Sequence, residues 1–306
     1  QVLGQLHGLL LEALDRHTVL SFGRLHQSRP TVRNLPYFYP QEHDRPNQMI
    51  QVVILPETYG TSTDGHQYTL PPNVVLLLVR DGTARLLDLD GYFHAVSATG
   101  AKMLQETLRC NPEAAAERVA AEYGADVSQV RADLSLFLVD LERRGLVRRS
   151  RGRWGRAGTM LASLLLTSSL RCVELGARFS EAKPLILLTL AYLSFRLFGW
   201  TRTVASWQRY FGEVASPQSS QESEGVARAI DSAVRATAAR HVLNVGCKER
   251  SLTCWALTRS ARLPTTLVLG VDLFPLASHC WCELDSLVLT DFEDRCERFT
   301  PVLRYG

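Results

Sequence analysis

Residues 244 to 291, NVGCKERSLTCWALTRSARLPTTLVLGVDLFPLASHCWCELDSLVLTD, constrain the fold more tightly than any other part of the chain. Cys247 follows Gly246 and opens KERSLTCWALTRS, a run of good helix formers, so its thiol is expected in a helix's first turn. Backbone N–H groups point outward there and lower a thiol pKa. Pro264 ends the helix, and TTLVLGV (265 to 271) predicts a buried strand from its β-branched and aliphatic residues. In ASHCWCEL, side chains alternate between faces, which puts His279, Trp281 and Glu283 on one side and Cys280, Cys282 and Leu284 on the other. A turn at Asp285-Ser286 and the strand LVLTD follow. A three-residue hairpin loop, 284 to 286, would set His279 opposite Asp291; a two-residue loop would put them on opposite faces.

Nucleophile, base and orienting carboxylate are the three parts of a covalent hydrolytic site. Cys247, His279 and Asp291 supply one of each. Their order, with a helix followed by antiparallel strands, resembles the papain-like transglutaminase fold. The segments C-x-x-R-S-L from Cys247, L-V-L-G-V from Leu267, S-H-C-W-C-E-L-D from Ser278 and L-T-D ending at Asp291 are similar to the leader peptidase, or B2, module of lasso peptide biosynthesis. That resemblance implies catalysis by Cys247, His279 and Asp291, with Trp281 and Glu283 packing around or supporting the base. Lys248 departs from the family, which has an apolar residue there, and Ser278 stands where alanine is common. Neither removes a reacting group.

Cys254, Cys280 and Cys282 are expected to be small buried hydrophobes. Cys280-x-Cys282 beside one histidine lacks the second ligand pair a zinc site needs, so neither metal nor cofactor is expected. The chain has 306 residues, enough for two ordinary cores, and a formal charge of only +3, which gives no reason to expect nucleic acid as a partner. Seven cysteines without regular spacing point to a reducing compartment rather than a disulfide framework. QVLGQLHGLLLEALDRH lacks the basic start of a signal peptide. The apolar stretches at 159–170 and 183–200 fall short of the roughly 20 unbroken residues of a membrane span and are interrupted by arginines. They predict a buried helical pair without stable membrane insertion.

Residues 1 to 17 carry leucines at helical spacing, and QVVILP (51 to 56) predicts a strand. From Asn73, NVVLLLVR, a turn at Asp81-Gly82, TARLLDL and GYFHAV predict three strands. Three helices follow, the first two with Ser97 and Asn111 at their N-caps and the third beginning at Asp126, with Pro112 at the first position of the second and Gly124 as its stop. Val130, Leu134, Phe137, Leu138 and Leu141 form the core stripe of the third. Arginines on that helix are matched by Asp133, Asp140 and Glu142, a poor phosphate surface. LLDLDGYF, ATGAKM and YGADVSQVRADLSLFLVDLERRGLV are similar to the PqqD-like recognition element, called B1 in lasso pathways. That family binds a leader peptide as an added strand lying against the third helix. The resemblance implies leader contacts from Leu86, Leu87, Leu89, Tyr92, Phe93, Val130, Leu134 and Phe137.

RRSRGRWGRAG (148 to 158) has the composition of a basic hinge, and SPQSSQESEG (216 to 225) that of a polar loop before a helix. The expected class is α+β. Residues 1–72 form an extension with no assigned role. A winged-helix-like PqqD-type domain of three strands and three helices occupies 73–150, and a papain-like, transglutaminase-like cysteine peptidase domain 151–306. The resemblance as a whole is to a fused lasso B protein of the bacterial cytoplasm. It would bind a precursor by its leader, hydrolyse the leader–core bond, and supply the core to an asparagine-synthetase-like cyclase. Two other functions use the same parts: acyl transfer to an amine, and leader binding by a non-catalytic chaperone.

Overall fold

The computed structural model describes residues 50–54, 68–149, 182–212 and 220–306. The expected helices at 1–17 and 159–170, and the hinge beyond Arg149, lie outside them. Strands β1 (Ile50–Ile54), β2 (Tyr68–Thr69), β3 (Val74–Val79), β4 (Ala84–Asp88) and β5 (Tyr92–Val96) precede helices α1 (Ala98–Arg109), α2 (Pro112–Tyr123) and α3 (Val127–Arg143). The expected three-stranded sheet has a fourth member, since β1 pairs with β3 and the antiparallel order is β1-β3-β4-β5. β2 pairs with β6 (Arg148–Arg149), tying the entry of this unit to its exit.

The caps stand where the side-chain chemistry puts them. Ser97 accepts the Gly100 N–H, Asn111 the Ala114 N–H and Asp126 the Ser128 N–H. Gly124 ends α2 in the left-handed conformation, φ 62°, which costs glycine nothing.

NVVLLLV is apolar without alternation because both faces of this sheet are covered. Val74, Leu76, Ala84 and Leu86 pack on α1 to α3. Val75, Leu77, Val79, Leu87 and Leu89 join the core of the C-terminal half. There they meet α4 (Lys183–Phe211), which contributes Leu187, Leu188, Ala191, Trp200 and Val204. α4 is long and apolar enough to cross a membrane, and it buries these residues in the shared core. Its kink is at Gly199, φ 70°, where an added Cβ would also lie 3.2 Å from the Asp90 carboxylate. A side chain there would strain the backbone and crowd that carboxylate.

Helix α5 (Ser220–Ala239) begins inside the stretch expected to be a polar loop. Ser, Gln and Glu tolerate a first turn well, which composition alone does not reveal. α6 (Cys247–Ser260) then lies on a second antiparallel sheet of β7 (Thr266–Leu273), β8 (Leu276–Leu284), β9 (Leu287–Leu289) and β10 (Thr300–Tyr305), in the order β10-β7-β8-β9. A short α7 (Glu293–Cys296) links β9 to β10, a strand the sequence pattern did not announce.

Candidate active site

Gly246 caps α6 and Cys247 is its first residue, as the sequence predicts. The Glu249 carboxylate accepts the Gly246 N–H at 2.8 Å, fixing the helix's entry. The Cys247 thiol is met by the backbone N–H of Cys280 in β8. Cys247 keeps some exposed surface as a residue, yet its sulfur is enclosed, and that enclosure governs its ionisation. Here the expectation of a lowered thiol pKa fails. Burial pushes the thiol above the ordinary cysteine range, and the Cys280 amide and nearby Lys248 and Arg250 only partly offset it.

His279 stands on β8 opposite Gly270 of β7 and is buried. Its Nε2 lies 2.8 Å from Oδ2 of Asp291. The contact turns Nε2 toward the carboxylate and couples the imidazole to its charge. Burial lowers the imidazole pKa, and the Asp291 charge opposes that shift. The resting pair is therefore a thiol and a neutral imidazole, and no hydrogen bond joins Cys247 to His279 among the described residues.

The hairpin places Asp291 by a different route from the one its loop length suggests. Leu284 pairs with Leu287, Glu283 with Val288 and Cys282 with Leu289, so the loop has two residues, Asp285 and Ser286. Continued in extended form, that register would set Asp291 opposite Cys280, on the wrong face for His279. β9 stops at Leu289, and Thr290 takes φ 71°. The left-handed residue reverses the alternation. The Thr290 hydroxyl reaches Ser251 of α6 at 2.9 Å, while Asp291 swings to the His279 side. Such a backbone costs about 1–3 kcal/mol for a β-branched residue and persists only where surroundings hold it. Thr290 donates its N–H to Asp231 Oδ1 at 2.8 Å, Arg235 donates to the Asp291 carbonyl at 2.7 Å, and Asp231 and Arg235 pair on α5.

Early termination of β9 has a second effect. An antiparallel residue turns its N–H and C=O to the same side, and those of Cys280 face the side β9 has vacated. The N–H meets the Cys247 thiol and the carbonyl accepts the Ser251 hydroxyl at 2.8 Å. Asp231, Arg235, Ser251 and Thr290 are absent from the sequence-derived site. The Asp231-x-x-x-Arg235 spacing marks an ion pair on a helix, but nothing in it points to residues 290 and 291.

Trp281 stacks beside the His279 ring at 6.0 Å, and Phe299 approaches it at 5.1 Å. Glu283 accepts the Trp281 indole N–H at 2.7 Å and pairs with Arg304. Trp281 thus borders the imidazole, and Glu283 holds Trp281. Gly270 makes room for Trp281 and Phe299, since a Cβ there would lie 2.6 Å from the Trp281 ring and 2.8 Å from Phe299.

In the N-terminal sheet, β5 is the terminal strand and bonds to β4. The Leu89 N–H goes to Asn73 beside β3, so odd residues of β4 face β3 and even ones face β5. Phe93 and Ala95 then turn their N–H groups away from β4. The residue set inferred for leader contact needs correction. Leu86, Val130 and Leu134 are buried under the helices, and Leu87 and Leu89 in the shared core. Their runs fill both faces of the sheet, which leaves them no surface for a ligand. Exposed Tyr92 and partly buried Phe93 and Phe137 retain surface, and Leu136 and Val139 on α3 are also exposed.

With this geometry in hand, comparison with protein families gives two matches. Residues 189–304 match the transglutaminase-like superfamily, and residues 78–147 match coenzyme PQQ synthesis protein D (PqqD). A PqqD-like domain precedes a transglutaminase-like domain. Comparison with curated proteins and with solved structures gave no match. The transglutaminase-like match spans Cys247, His279 and Asp291, and the PqqD-like match spans β4, β5 and the three helices that follow. Together the two domains support peptide recognition joined to a cysteine-peptidase-like fold. Lys248, the departure noted in the sequence, ties the two: its ammonium donates to the Leu89 carbonyl at 3.2 Å and lies over the Trp200 ring.

Proposed function

We propose that this protein binds the leader of a ribosomally made precursor peptide through its PqqD-like domain and hydrolyses the leader–core bond in its transglutaminase-like domain. The observation that carries this reading is the convergence on β8. The Cys280 amide meets the Cys247 thiol while the preceding residue, His279, faces Asp291 at 2.8 Å. With Nε2 turned to the carboxylate, Nδ1 is the nitrogen left to accept the thiol proton. Because the thiol rests protonated, proton transfer and attack on the scissile carbonyl occur together. The Cys247 N–H, in the first turn of α6, donates to the developing oxyanion. Nδ1 returns the proton to the leaving nitrogen as the C–N bond breaks. The core departs with a free amine, and a water activated by the same nitrogen then cleaves the thioester, giving the leader carboxylate and restoring the Cys247 thiol. In lasso peptide biosynthesis, in the bacterial cytoplasm, an asparagine-synthetase-like cyclase would receive that core. The leader would add along the β5 edge, near Tyr92, Phe93 and Phe137.

The transglutaminase-like match also favours a second reading, in which an amine rather than water takes the acyl group. One experiment tests both. The precursor peptide encoded beside the gene is incubated with the protein in ¹⁸O water containing a primary amine, and the products are weighed by mass spectrometry. A leader carrying ¹⁸O in its new carboxylate supports hydrolysis, and a leader amide supports acyl transfer. Intact precursor that nonetheless binds would overturn both and leave a leader-binding chaperone.

A further inference from the structure

From the contacts of α5 we infer that Asp231 and Arg235 are positioning residues that hold the 290–291 segment in its left-handed turn and so keep Asp291 on the His279 side. The inference rests on the peptidase reading for its catalytic consequence, but its geometry stands independently. Three anchors act on two residues. Asp231 Oδ1 takes the Thr290 N–H at 2.8 Å, Arg235 donates to the Asp291 carbonyl at 2.7 Å, and Ser251 meets the Thr290 hydroxyl at 2.9 Å. Arg235 is itself fixed by both oxygens of Asp231, at 3.0 and 2.9 Å, and its guanidinium lies 5.2 Å from the Phe292 ring centre.

The register of the hairpin defines what happens without them. Thr290 would relax to the extended backbone a β-branched residue prefers, and β9 would continue past Leu289. Asp291 would then pair with Cys280 and turn away from His279. The same slip would draw the Cys280 N–H and C=O into the ladder and away from Cys247 and Ser251. Loss of the clamp therefore disconnects the carboxylate from the base and the amide from the thiol in one movement.

The test compares wild type with Asp231→Ala, Arg235→Ala and Asp231→Asn, the last keeping an oxygen to accept the Thr290 N–H. Two readouts are used: kcat and KM for precursor cleavage per titratable Cys247 thiol, and the pH profile of Cys247 alkylation by iodoacetamide. The alanine variants are expected to lose about 10- to 100-fold in kcat with KM within about twofold, since misplacement of a reacting group by an ångström costs on that order. Their alkylation profiles should move to higher pH, because the thiol loses the amide that favours its ionised form. Asp231→Asn should fall between them and wild type. A merely structural role would reduce the yield of folded protein while leaving kcat per thiol and the profile of the surviving fraction in place; that result overturns the inference. Should the wild type cleave no precursor, the peptidase reading falls and the alkylation profile alone decides the clamp. If the alanine variants fail to fold, Asp231→Asn and Arg235→Lys decide it on the same readouts.

Discussion

The two sheets of this molecule carry their proposed work in opposite ways. β3, β4 and β5 run in unbroken register, residue against residue, and end in a strand edge whose alternate N–H groups face outward. β8 and β9 start in the same regular manner, but the ladder stops at Leu289, and Cys247, His279 and Asp291, the groups proposed to react, gather where it stops. A regular edge is what a peptide needs in order to add as a further strand, since every second backbone group is already aimed. A site that must bring side chains from a helix, a strand and the segment after the next strand to one point needs a break in that regularity. Thr290 is the break, and α5 maintains it.

Substitutions can test whether the two sheets divide the work in this way. The largest effect is expected from Cys247→Ala, which should remove precursor cleavage altogether while leaving leader affinity, read by fluorescence anisotropy, as in the wild type. Residual turnover within tenfold of wild type would place the nucleophile elsewhere. Asp291→Asn should come next, with a fall in kcat on the order of 10⁴, as amidating the orienting carboxylate does in serine enzymes. Stopped-assay kinetics on the purified variant check this, and a near-normal rate would make the broken ladder irrelevant to chemistry.

Ala95→Pro addresses the regular sheet. Ala95 is exposed on β5 with its N–H turned away from β4, so proline should spare the ladder and cost one hydrogen bond to the leader. A bond worth roughly 0.5–1.5 kcal/mol weakens binding about two- to tenfold. KM should rise with kcat little changed, and an unaltered leader titration would shift recognition away from this edge.

The smallest effect concerns pH. In the proposed mechanism His279 is a base only when neutral, and burial holds its pKa below the ordinary value of about 6.5, so the acid limb of kcat/KM should lie below that pH. Arg295, 3.3 Å from Asp291 Oδ2, disfavours the imidazolium. Arg295→Ala should move the acid limb upward, changing the rate at pH 6 by no more than about tenfold, which a pH–rate profile measures. The same depressed pKa affects stability. Below about pH 6.5 the unfolded chain binds the proton first, so His279 contributes stability above that pH that is lost as pH falls through its folded pKa.

By itself, the sequence determined the local pieces. Gly246 before a run of helix formers placed Cys247 at a helix mouth; Ser97, Asn111 and Asp126 set the starts of three helices; alternation put His279, Trp281 and Glu283 on one face. These depend on near neighbours in the chain, whose geometry side-chain chemistry dictates directly. Three matters were decided by tertiary structure alone. The face on which Asp291 lies follows from a left-handed Thr290 that residues of a distant helix hold against its own preference, and hairpin arithmetic with a three-residue loop reached the right neighbour by the wrong register. The direction of the Cys247 shift follows from burial of the thiol, which outweighs the helix mouth's favourable field and the Cys280 amide. The burial of Leu87 and Leu89 follows from their joining the core of the C-terminal half, on a sheet face that the strand pattern leaves open to either solvent or core. In each case the deciding atoms lie far along the chain, and only packing brings them to the residue they control.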